Sequence, residues 1–293
     1  MQRGDRVVLF DLRRGALVSS PEFGQSQFVE GDLGDQTAVF DAVGSNQIDT
    51  IFHLGAILST NAEERPEDAW RANITGTRNV LEAARRFGCK RVIFSSTLAT
   101  YGGDLPDPLP PDAPQWPASL YGTTKVAGER LGVYYHHRFG LDFRGIRFPA
   151  LVAPRGAAGG ASAFVSAVFE ECVTKGGYTF YLEPTSRCPI VYVGDAVQAL
   201  LKFHDVPPDR LTRRIYNIAG SVATPEMLAA VVHARLPQVK ITYDPDPFRN
   251  AIVNTWPAHV DDSDAQTDWN WQATYDLERM ADEIIRILQD DAD

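Results

Sequence analysis

Tyr121 and Lys125 have a spacing that can support acid–base chemistry. They lie four residues apart in a segment with helical periodicity, so both side chains project from one face, one turn apart. A tyrosine normally has a pKa of about 10, too high for a base at neutral pH. A nearby ammonium group can lower that pKa by roughly one to three units. The pair therefore predicts a tyrosine general base assisted by a lysine, although an ordinary amphipathic helix can show the same spacing.

A run of hydroxyl side chains, Ser95, Ser96 and Thr97, closes a predicted strand about two dozen residues before Tyr121. Parallel α/β sheets bind their ligands at the carboxyl ends of the strands. Alone, such a run is more often a turn or a helix cap. Followed by the Tyr121 and Lys125 pair, it favours a catalytic site.

Acidic and small residues end other predicted strands. Asp11 ends the first one, where a carboxylate can accept hydrogen bonds from an adenosine ribose and repel the extra phosphate of NADP. Asp32 is expected to face the adenine edge. Gly55 and Ala56 are small, as close approach of the backbone to a cofactor requires. We expect His53 to be a structural partner without a role in chemistry.

The elements that must position these residues alternate between strand and helix. Short β-rich apolar runs cover 7–10, 50–54, 91–94 and 143–148, and helical periodicity covers 67–87 and 121–139. Such alternation predicts an α/β fold, a doubly wound, Rossmann-like parallel sheet.

After residue 148 the pattern changes, which predicts a smaller C-terminal substrate lobe. We expect residues 1–152 to form the NAD-binding part, 153–293 the lobe, and 188–216 to return to the first part. A helix is expected near 163–175, and a strand and helix near 190–203. From Thr224, a predicted N-cap followed by Pro225, the order expected is helix, strand, loop and helix. The Pro-rich segment 102–117 predicts a loop beside the site.

Composition narrows the class of partner. The net charge is −10, and no basic stripe is present to neutralise nucleic-acid phosphates. Three cysteines without metal-ligand spacing predict neither a metal site nor disulfides, and they fit a reducing compartment. No apolar run approaches the length of a membrane span or a signal peptide. We expect a cytoplasmic protein that acts on a small molecule, without nucleic-acid or membrane partners.

With these pieces in order, the chain resembles the extended short-chain dehydrogenases. The segments that carry this resemblance in the first half are VVLFD, GDL, TIFHLGA, WRANITGTRNVLEAA, VIFSSTLATYG, YGTTKVAGE and RGIRFPA. Within that family the tail resembles the short-chain-type L-threonine 3-dehydrogenases. Its segments are TSRCPIVYVGDA, YNIAG, TPEMLAA, ITYDPDPFRNAI and NTWPAHVDDSDAQTDWNWQATYDL. Nucleotide-sugar epimerases share the first half without this tail.

The resemblance implies NAD-dependent oxidation of the C3 hydroxyl of L-threonine to 2-amino-3-oxobutanoate. Tyr121 would remove the hydroxyl proton, and Lys125 would lower the pKa of Tyr121 and hold the nicotinamide ribose. Thr97 would hydrogen-bond the reacting oxygen, with Ser96 as the nearby alternative.

The resemblance also implies binding residues. Cofactor contacts are expected from Asp11, Asp32, Leu33, Leu54, Gly55, Ala56, Asn73, Ser95, Tyr121, Lys125, Phe148, Pro149 and Ala150. Ser59, Arg187 and Trp256 match positions near the substrate pocket, where the alternatives are a helix cap, a surface cation and a core aromatic. A homodimer is expected through the helices at 67–87 and 121–139.

Two departures from the family pattern stand out. The family's first strand and its Gly-x-x-Gly-x-x-Gly turn, which binds the pyrophosphate, are absent from this sequence. The start therefore resembles one that has lost about 25 to 30 residues of such a unit, which would leave two sheet edges unpaired. The second departure is Ala158-Gly159-Gly160-Ala161-Ser162-Ala163-Phe164, in place of a Gly-Gly-Gly-Thr-Thr-Asp-Tyr loop, together with Ala150 in place of a glycine. These changes weaken the prediction of threonine as substrate.

Two alternatives stay open. One is a nucleotide-sugar epimerase or dehydratase, which would need a wider and more basic pocket for a diphosphate. The other is a catalytically silent family member, favoured if the glycine turn is genuinely absent.

Overall fold

The computed structural model describes residues 4–15, 23–156 and 160–291. Eleven strands occur in that part of the chain. They are β1 Val8–Asp11, β2 Gln27–Glu30, β3 Thr50–His53, β4 Arg91–Thr97, β5 Asp142–Phe148, β6 Ala150–Val152, β7 Gly177–Phe180, β8 Cys188–Tyr192, β9 Ile215–Asn217, β10 Ser221–Ala223 and β11 Lys240–Tyr243.

The α-helices alternate with these strands. They are α1 Gln36–Ser45, α2 Ser59–Glu64, α3 Pro66–Ala69, α4 Gly76–Phe87, α5 Leu120–Phe139, α6 Phe164–Lys175, α7 Val193–Asp205, α8 Pro225–Arg235, α9 Pro247–Val253, α10 Ser263–Trp269 and α11 Leu277–Asp290. A π-helical segment, Trp70–Thr75, joins α3 to α4. Within the described ranges, no helix has both the length and the apolar character needed to cross a bilayer.

The central sheet is parallel, in the order β3-β4-β5-β9. β1 and β2 form a separate parallel pair. Among the described residues, β3 and β1 each lie at an edge of their sheets. A three-stranded sheet, β10-β8-β6, and a parallel pair, β11-β7, make up the smaller sheets. The α/β, Rossmann-like fold predicted from the sequence is confirmed.

Most predicted elements form, with two differences. The helix expected over 67–87 contains the π-helical turn, which local periodicity does not reveal because it adds one residue to a turn without breaking the helix. The loop expected near the C-terminus contains two short helices, α9 and α10. The Thr224 cap forms as predicted, since its side chain accepts a hydrogen bond from the Met227 amide.

The buried side chains form separate cores on the two parts of the molecule. One core lies against the central sheet, where Ile93 and Ile146 pack with Phe203 of α7 and Trp269 of α10. Another lies in the C-terminal part and unites α6, α8, α11 and β7. Because the central sheet is covered on its faces, its polar side chains can approach solvent mainly at the strand ends, where the candidate site lies.

Candidate active site

The N-terminus of α5 is fixed against the segment that follows β4. Ser119 is its N-cap, and its side chain accepts a hydrogen bond from the Gly122 amide at 3.1 Å. A Cβ at Gly122 would lie 2.1 Å from the Ala99 carbonyl oxygen, so only glycine permits this approach. The contact brings Tyr121, the next residue back, to the carboxyl end of β4.

Tyr121, Lys125 and Thr97 lie together there. The Thr97 side chain lies close enough to Tyr121 to lower its pKa. The Lys125 ammonium lies 5.7 Å from the centroid of the Tyr121 ring and donates to the Ser95 carbonyl oxygen at 2.6 Å. It also lies 4.7 Å from the centroid of the Phe94 ring. The structure therefore gathers the three side chains that the sequence singled out for catalysis.

The electrostatics of the pair differ from the expectation that Lys125 lowers the pKa of Tyr121. Burial raises the pKa of Tyr121 to about 12, and the Thr97 side chain opposes this only in part. Burial also lowers the pKa of Lys125 to about 8, opposed by the charge of Glu129. The prediction fails for the protein alone because desolvation of the phenolate outweighs attraction to an ammonium that is directed at a carbonyl.

His53 behaves as the structural partner that we expected. Its Nε2 lies 2.9 Å from the Thr77 hydroxyl, and the side chain is buried. Burial, followed by the charge of Lys125, lowers the pKa of His53 to about 3. The ring is therefore neutral at physiological pH.

Ser96 does not face the site, which corrects its expected role as a substrate contact. Its side chain is buried and donates to Glu129 Oε1 at 2.5 Å. Side chains alternate along a strand, so Ser96 points away from the side where Thr97 lies. Of the two candidate hydroxyls, the geometry supports Thr97.

Asn73 lies on the π-helical segment and orders the chain after β3. Its Oδ1 accepts from the Ile57 amide at 2.8 Å. Its Nδ2 donates to the Ile57 carbonyl and to the Thr124 hydroxyl, both at 3.0 Å. Both N–H groups of the amide thus donate to protein acceptors, so they are not free to donate to a cofactor. In this structure Asn73 supports the chain near the expected cofactor contacts.

The other expected cofactor residues lie at the carboxyl ends of the strands. Asp11 is exposed at the end of β1, and Leu54 and Gly55 are exposed directly after β3. Asp32 accepts from the Gly34 amide at 2.8 Å and pairs with Arg71 at 2.5 Å. Further expected residues lie at the ends of β2, β3, β4 and β5, namely Leu33, Ala56, Ser95, Phe148, Pro149 and Ala150.

The expected substrate residues fall into two places. Ser59 is buried, and its hydroxyl accepts from the Ala161 amide at 2.9 Å, which ties α2 to the C-terminal part. Arg187 and Trp256 line one cavity of about 360 Å³. The lining of that cavity does not include Tyr121 or Thr97, so the structure does not join these two groups.

The substituted loop is only partly within the described residues. Ala158 and Gly159 lie outside them. From Gly160 onward the segment leads into α6, and the buried Ala161 accepts from the Tyr181 hydroxyl at 3.0 Å. Ala150, the other departure, is half-buried at the start of β6.

Sequence reasoning missed the buried pair of Glu129 and Arg147. Glu129 has no exposed side-chain surface, and Arg147 donates to both of its oxygens at 2.8 Å. An available signal was a glutamate one turn beyond Lys125 together with Arg147 in a strand whose middle residues are mostly buried. Local patterns do not pair residues so far apart, and only the fold reveals the contact.

Comparison with known proteins places this geometry in a family. Residues 1–219 match the NAD dependent epimerase/dehydratase family. The chain belongs to that family. It is 36% identical over 280 residues to the mitochondrial L-threonine 3-dehydrogenase of Bos taurus, covering 94% of this chain and 74% of the relative. The expected membership of the extended short-chain dehydrogenases is confirmed.

Solved structures agree. An L-threonine dehydrogenase from Clostridium difficile superposes with a TM-score of 0.89 at 30% identity, covering 98% of each chain. A monomeric L-threonine 3-dehydrogenase from a metagenome, in its apo form, gives a TM-score of 0.90 at 30% identity, covering 98% of this chain and 91% of that one. The similarity thus extends through the C-terminal part.

NAD is the cofactor of this family, and the residues present fit its two ends. The segments that follow β2 and β3 approach each other closely, since a Cβ at Gly55 would lie 2.8 Å from Leu33 Cδ1. Leu54 beside them is 52% exposed, which leaves surface for a cofactor to contact. The exposed carboxylate of Asp11 suits ribose hydroxyls, and Lys125 and Ser95 lie at the other end. The sequence contains no Gly-x-x-Gly-x-x-Gly turn, so we assign no residue to the pyrophosphate.

Proposed function

We propose that the protein is an NAD-dependent dehydrogenase that oxidises the C3 hydroxyl of L-threonine to 2-amino-3-oxobutanoate. The observation that carries this proposal is the group of Tyr121, Thr97 and Lys125 at the carboxyl end of β4. The relatives named above, which are L-threonine 3-dehydrogenases along nearly the whole chain, support the substrate.

In the proposed reaction, Thr97 hydrogen-bonds the substrate hydroxyl and orients it toward Tyr121. The Tyr121 phenolate takes the hydroxyl proton as the carbonyl forms at C3. Bound NAD supplies the acceptor for the C3 hydride. Lys125 is charged, and its ammonium donates to the Ser95 carbonyl oxygen. In the complex with substrate and NAD, this charge stabilises the Tyr121 phenolate. The raised pKa of Tyr121 means that the base must be generated in the bound complex.

We further propose that Ser59, Arg187 and Trp256 act on the substrate side. Arg187 and Trp256 share a cavity of about 360 Å³, which is large enough for an amino acid, and a guanidinium suits its carboxylate. Ser59 supports the chain that leads into α6.

NADH absorbance in the presence of L-threonine, L-serine and UDP-sugars tests the function. We expect turnover with L-threonine above that with L-serine, and none with UDP-sugars. Epimerisation and dehydration of a sugar release no net NADH, so conversion of the UDP-sugars is followed by chromatography of the sugar nucleotide. Conversion of a UDP-sugar without threonine activity would instead support the epimerase or dehydratase alternative, which the family match also allows.

A thermal unfolding titration with NAD tests the silent alternative. Ligand that binds the native state raises the midpoint of unfolding. We expect an upward shift with NAD that exceeds the shift with NADP. No shift at millimolar NAD would favour a protein without dehydrogenase activity.

We also propose a homodimer formed through α4 and α5. Supporting this, three large side chains of these helices are exposed, namely Phe87 at 44%, Tyr134 at 53% and Phe139 at 43%. One structural neighbour is described as monomeric, so the state must be measured. Light scattering coupled to size-exclusion chromatography distinguishes a mass near 65 kDa, about twice that of the 32.3 kDa chain, from a monomer.

Two coarser expectations join this proposal. We propose residues 1–152 with 188–216 as the cofactor part and 153–293 as the substrate part. The core of α6, α8, α11 and β7 supports this division. α10 departs from it, because Ala265 and Trp269 pack in the core against the central sheet. We propose a cytoplasmic location, supported by three free buried cysteines, Cys89, Cys172 and Cys188.

A further inference from the structure

Glu129 occupies an unusual position for a carboxylate. Its side chain has no exposed surface, and it lies on α5 one turn beyond Lys125. Isolated charges are rarely buried, because their desolvation is costly unless partners compensate. The groups that stabilise this buried charge are Arg147 and its neighbours, and the group that the charge can influence is Lys125.

Four hydrogen bonds fix the Glu129 carboxylate. Arg147 of β5 donates to both oxygens at 2.8 Å. Ser96 of β4 donates at 2.5 Å, and Gln115 of the Pro-rich loop donates at 3.0 Å. Arg147 is itself held by Tyr101 and Asn217. Two strands, a loop and a helix thus fix the position of one negative charge.

Lys125 is the group that gains from this charge. Its ammonium is buried, and the groups facing it are Tyr121 on its own helix, the Phe94 ring and the Ser95 carbonyl on β4, and neutral His53 on β3. Burial pulls the pKa of Lys125 down to about 8, and Glu129 acts against that loss. At neutral pH the balance leaves the lysine charged.

We propose that Glu129 is a positioning residue that keeps Lys125 in its ammonium form, so that Tyr121 rather than Lys125 gives up the proton shared by the pair. This role rests on the dehydrogenase function proposed above. A negative charge disfavours deprotonation of both groups, but its effect falls with distance. Lys125 is four residues away, and Tyr121 is eight residues away, about 12 Å along the helix axis. Glu129 therefore biases the pair toward phenolate with ammonium, the active form, over phenol with neutral amine.

The Glu129→Gln variant tests this role without relying on activity. The chain has only five lysines, so 13Cε-lysine labelling gives a simple NMR spectrum in which Lys125→Arg identifies one signal. We expect the Lys125 signal to titrate about one pH unit lower or more in Glu129→Gln than in the wild type. In the same variant, kcat with L-threonine should fall about threefold at pH 7.5, with KM for NAD changed less. A drop of one pKa unit from about 8 lowers the charged fraction of Lys125 at this pH from about three-quarters to about one-quarter.

Tyr101→Phe is the matched control. It removes a hydroxyl from the same network but keeps the carboxylate, so the Lys125 titration should not move even if the protein becomes less stable. An unchanged titration in Glu129→Gln would overturn the proposal. The NMR measurement needs no substrate, so absence of threonine turnover in the wild type would sink the proposed function while this test still stands.

Loss of the carboxylate leaves Arg147 buried and unpaired, and this change can unfold the protein. If Glu129→Gln does not fold, the double variant Glu129→Gln with Arg147→Met removes both charges. A downward shift of Lys125 smaller than the single variant's is then expected, because loss of the more distant Arg147 charge partly offsets loss of the carboxylate. Failure of both variants to fold would assign Glu129 to the core alone and would also overturn the proposal.

Discussion

β4 and β5 carry a cluster of carboxylate and guanidinium groups near each end, partly buried at the amino end and buried at the carboxyl end. The two clusters differ in what else they contact. At the amino end, Arg91 and Asp142 are paired residues of the two strands. At the carboxyl end, Ser96 and Arg147 are paired in the same register. Five residues separate the two pairs, a distance of about 17 Å along the strands.

The amino-end cluster consists of Asp142 with three arginines. Arg91, Arg144 and Arg214 lie 2.7, 2.8 and 3.3 Å from its oxygens. Burial alone would raise the pKa of Asp142, but hydrogen bonds from Arg144 and Arg91 hold it below its usual value. Two of the arginines also donate to carbonyls at the end of α7. The cluster ties α7 to the sheet and contacts no group proposed for catalysis.

The carboxyl-end cluster of Glu129, Arg147 and Ser96 has the same chemistry but lies beside Lys125. One kind of ion pair thus serves stability at one end of the sheet and, in our proposal, the protonation state of a catalytic lysine at the other. The comparison predicts that variants at the amino end lower stability and keep turnover, and that variants at the carboxyl end lower turnover.

Tyr121→Phe should have the largest effect on activity. General acid–base catalysis contributes about 10² to 10⁴-fold, so we expect turnover of L-threonine to fall by that range, while the midpoint shift produced by NAD persists. NADH absorbance and thermal unfolding measure the two quantities. Tyr243→Phe, a half-exposed tyrosine far along the chain, is the control and should retain full turnover. Near-normal turnover in Tyr121→Phe would remove the proposed base.

Asp142→Asn should instead lower stability by about 3 kcal/mol or more, because the fully buried Arg144 loses its charged partner. Turnover per folded molecule should stay near the wild-type value. Urea unfolding measures the loss of free energy. Asp49→Asn is the matched control, since the pair of Asp49 with Lys90 is exposed and should contribute less than about 1 kcal/mol. Equal losses in the two variants would contradict the buried cluster's role.

The two clusters also show what sequence can and cannot predict. Periodicity and spacing predicted β1, β3, β4, β5, α5, and the approach of Tyr121 to the hydroxyl run, because each follows from local geometry. Short strands such as β2, β6 and β9 were missed, because three or four residues carry too little pattern. Local spacing did not distinguish Ser96 from Thr97, since alternation separates neighbouring side chains without stating which face meets α5. The pairing of Glu129 with Arg147 and the raised pKa of Tyr121 depend on burial, which arises only when distant segments pack.

Lys125→Met should abolish turnover but raise the stability of the folded protein. Burial lowers the pKa of Lys125 from 10.5 to about 8. Keeping this lysine charged therefore lowers the free energy of unfolding by about 3 kcal/mol. The unfolded chain binds this proton more tightly, so the cost is complete below pH 8 and disappears above pH 10.5. We expect Lys125→Met to be more stable than the wild type by up to about 3 kcal/mol at pH 7, with the gap narrower at pH 9.5. A variant less stable at pH 7 would show that the contacts of the ammonium outweigh its desolvation.

Acid should weaken the carboxyl end before the amino end. The pKa of His53, which lies next to Lys125, is lowered to about 3. Below pH 6.5 this histidine is therefore protonated in the unfolded chain but remains neutral in the folded protein. Stability should fall by about 1.4 kcal/mol between pH 7.5 and 5.5, and His53→Gln should abolish most of this slope. Asp142 has a pKa held below 3.8, so its contribution stays complete above that value and is lost only as pH falls through the lowered pKa. Asp142→Asn should therefore keep the wild-type slope over this range, as measured by urea unfolding, and a flattened slope in that variant would contradict the separation of the two ends.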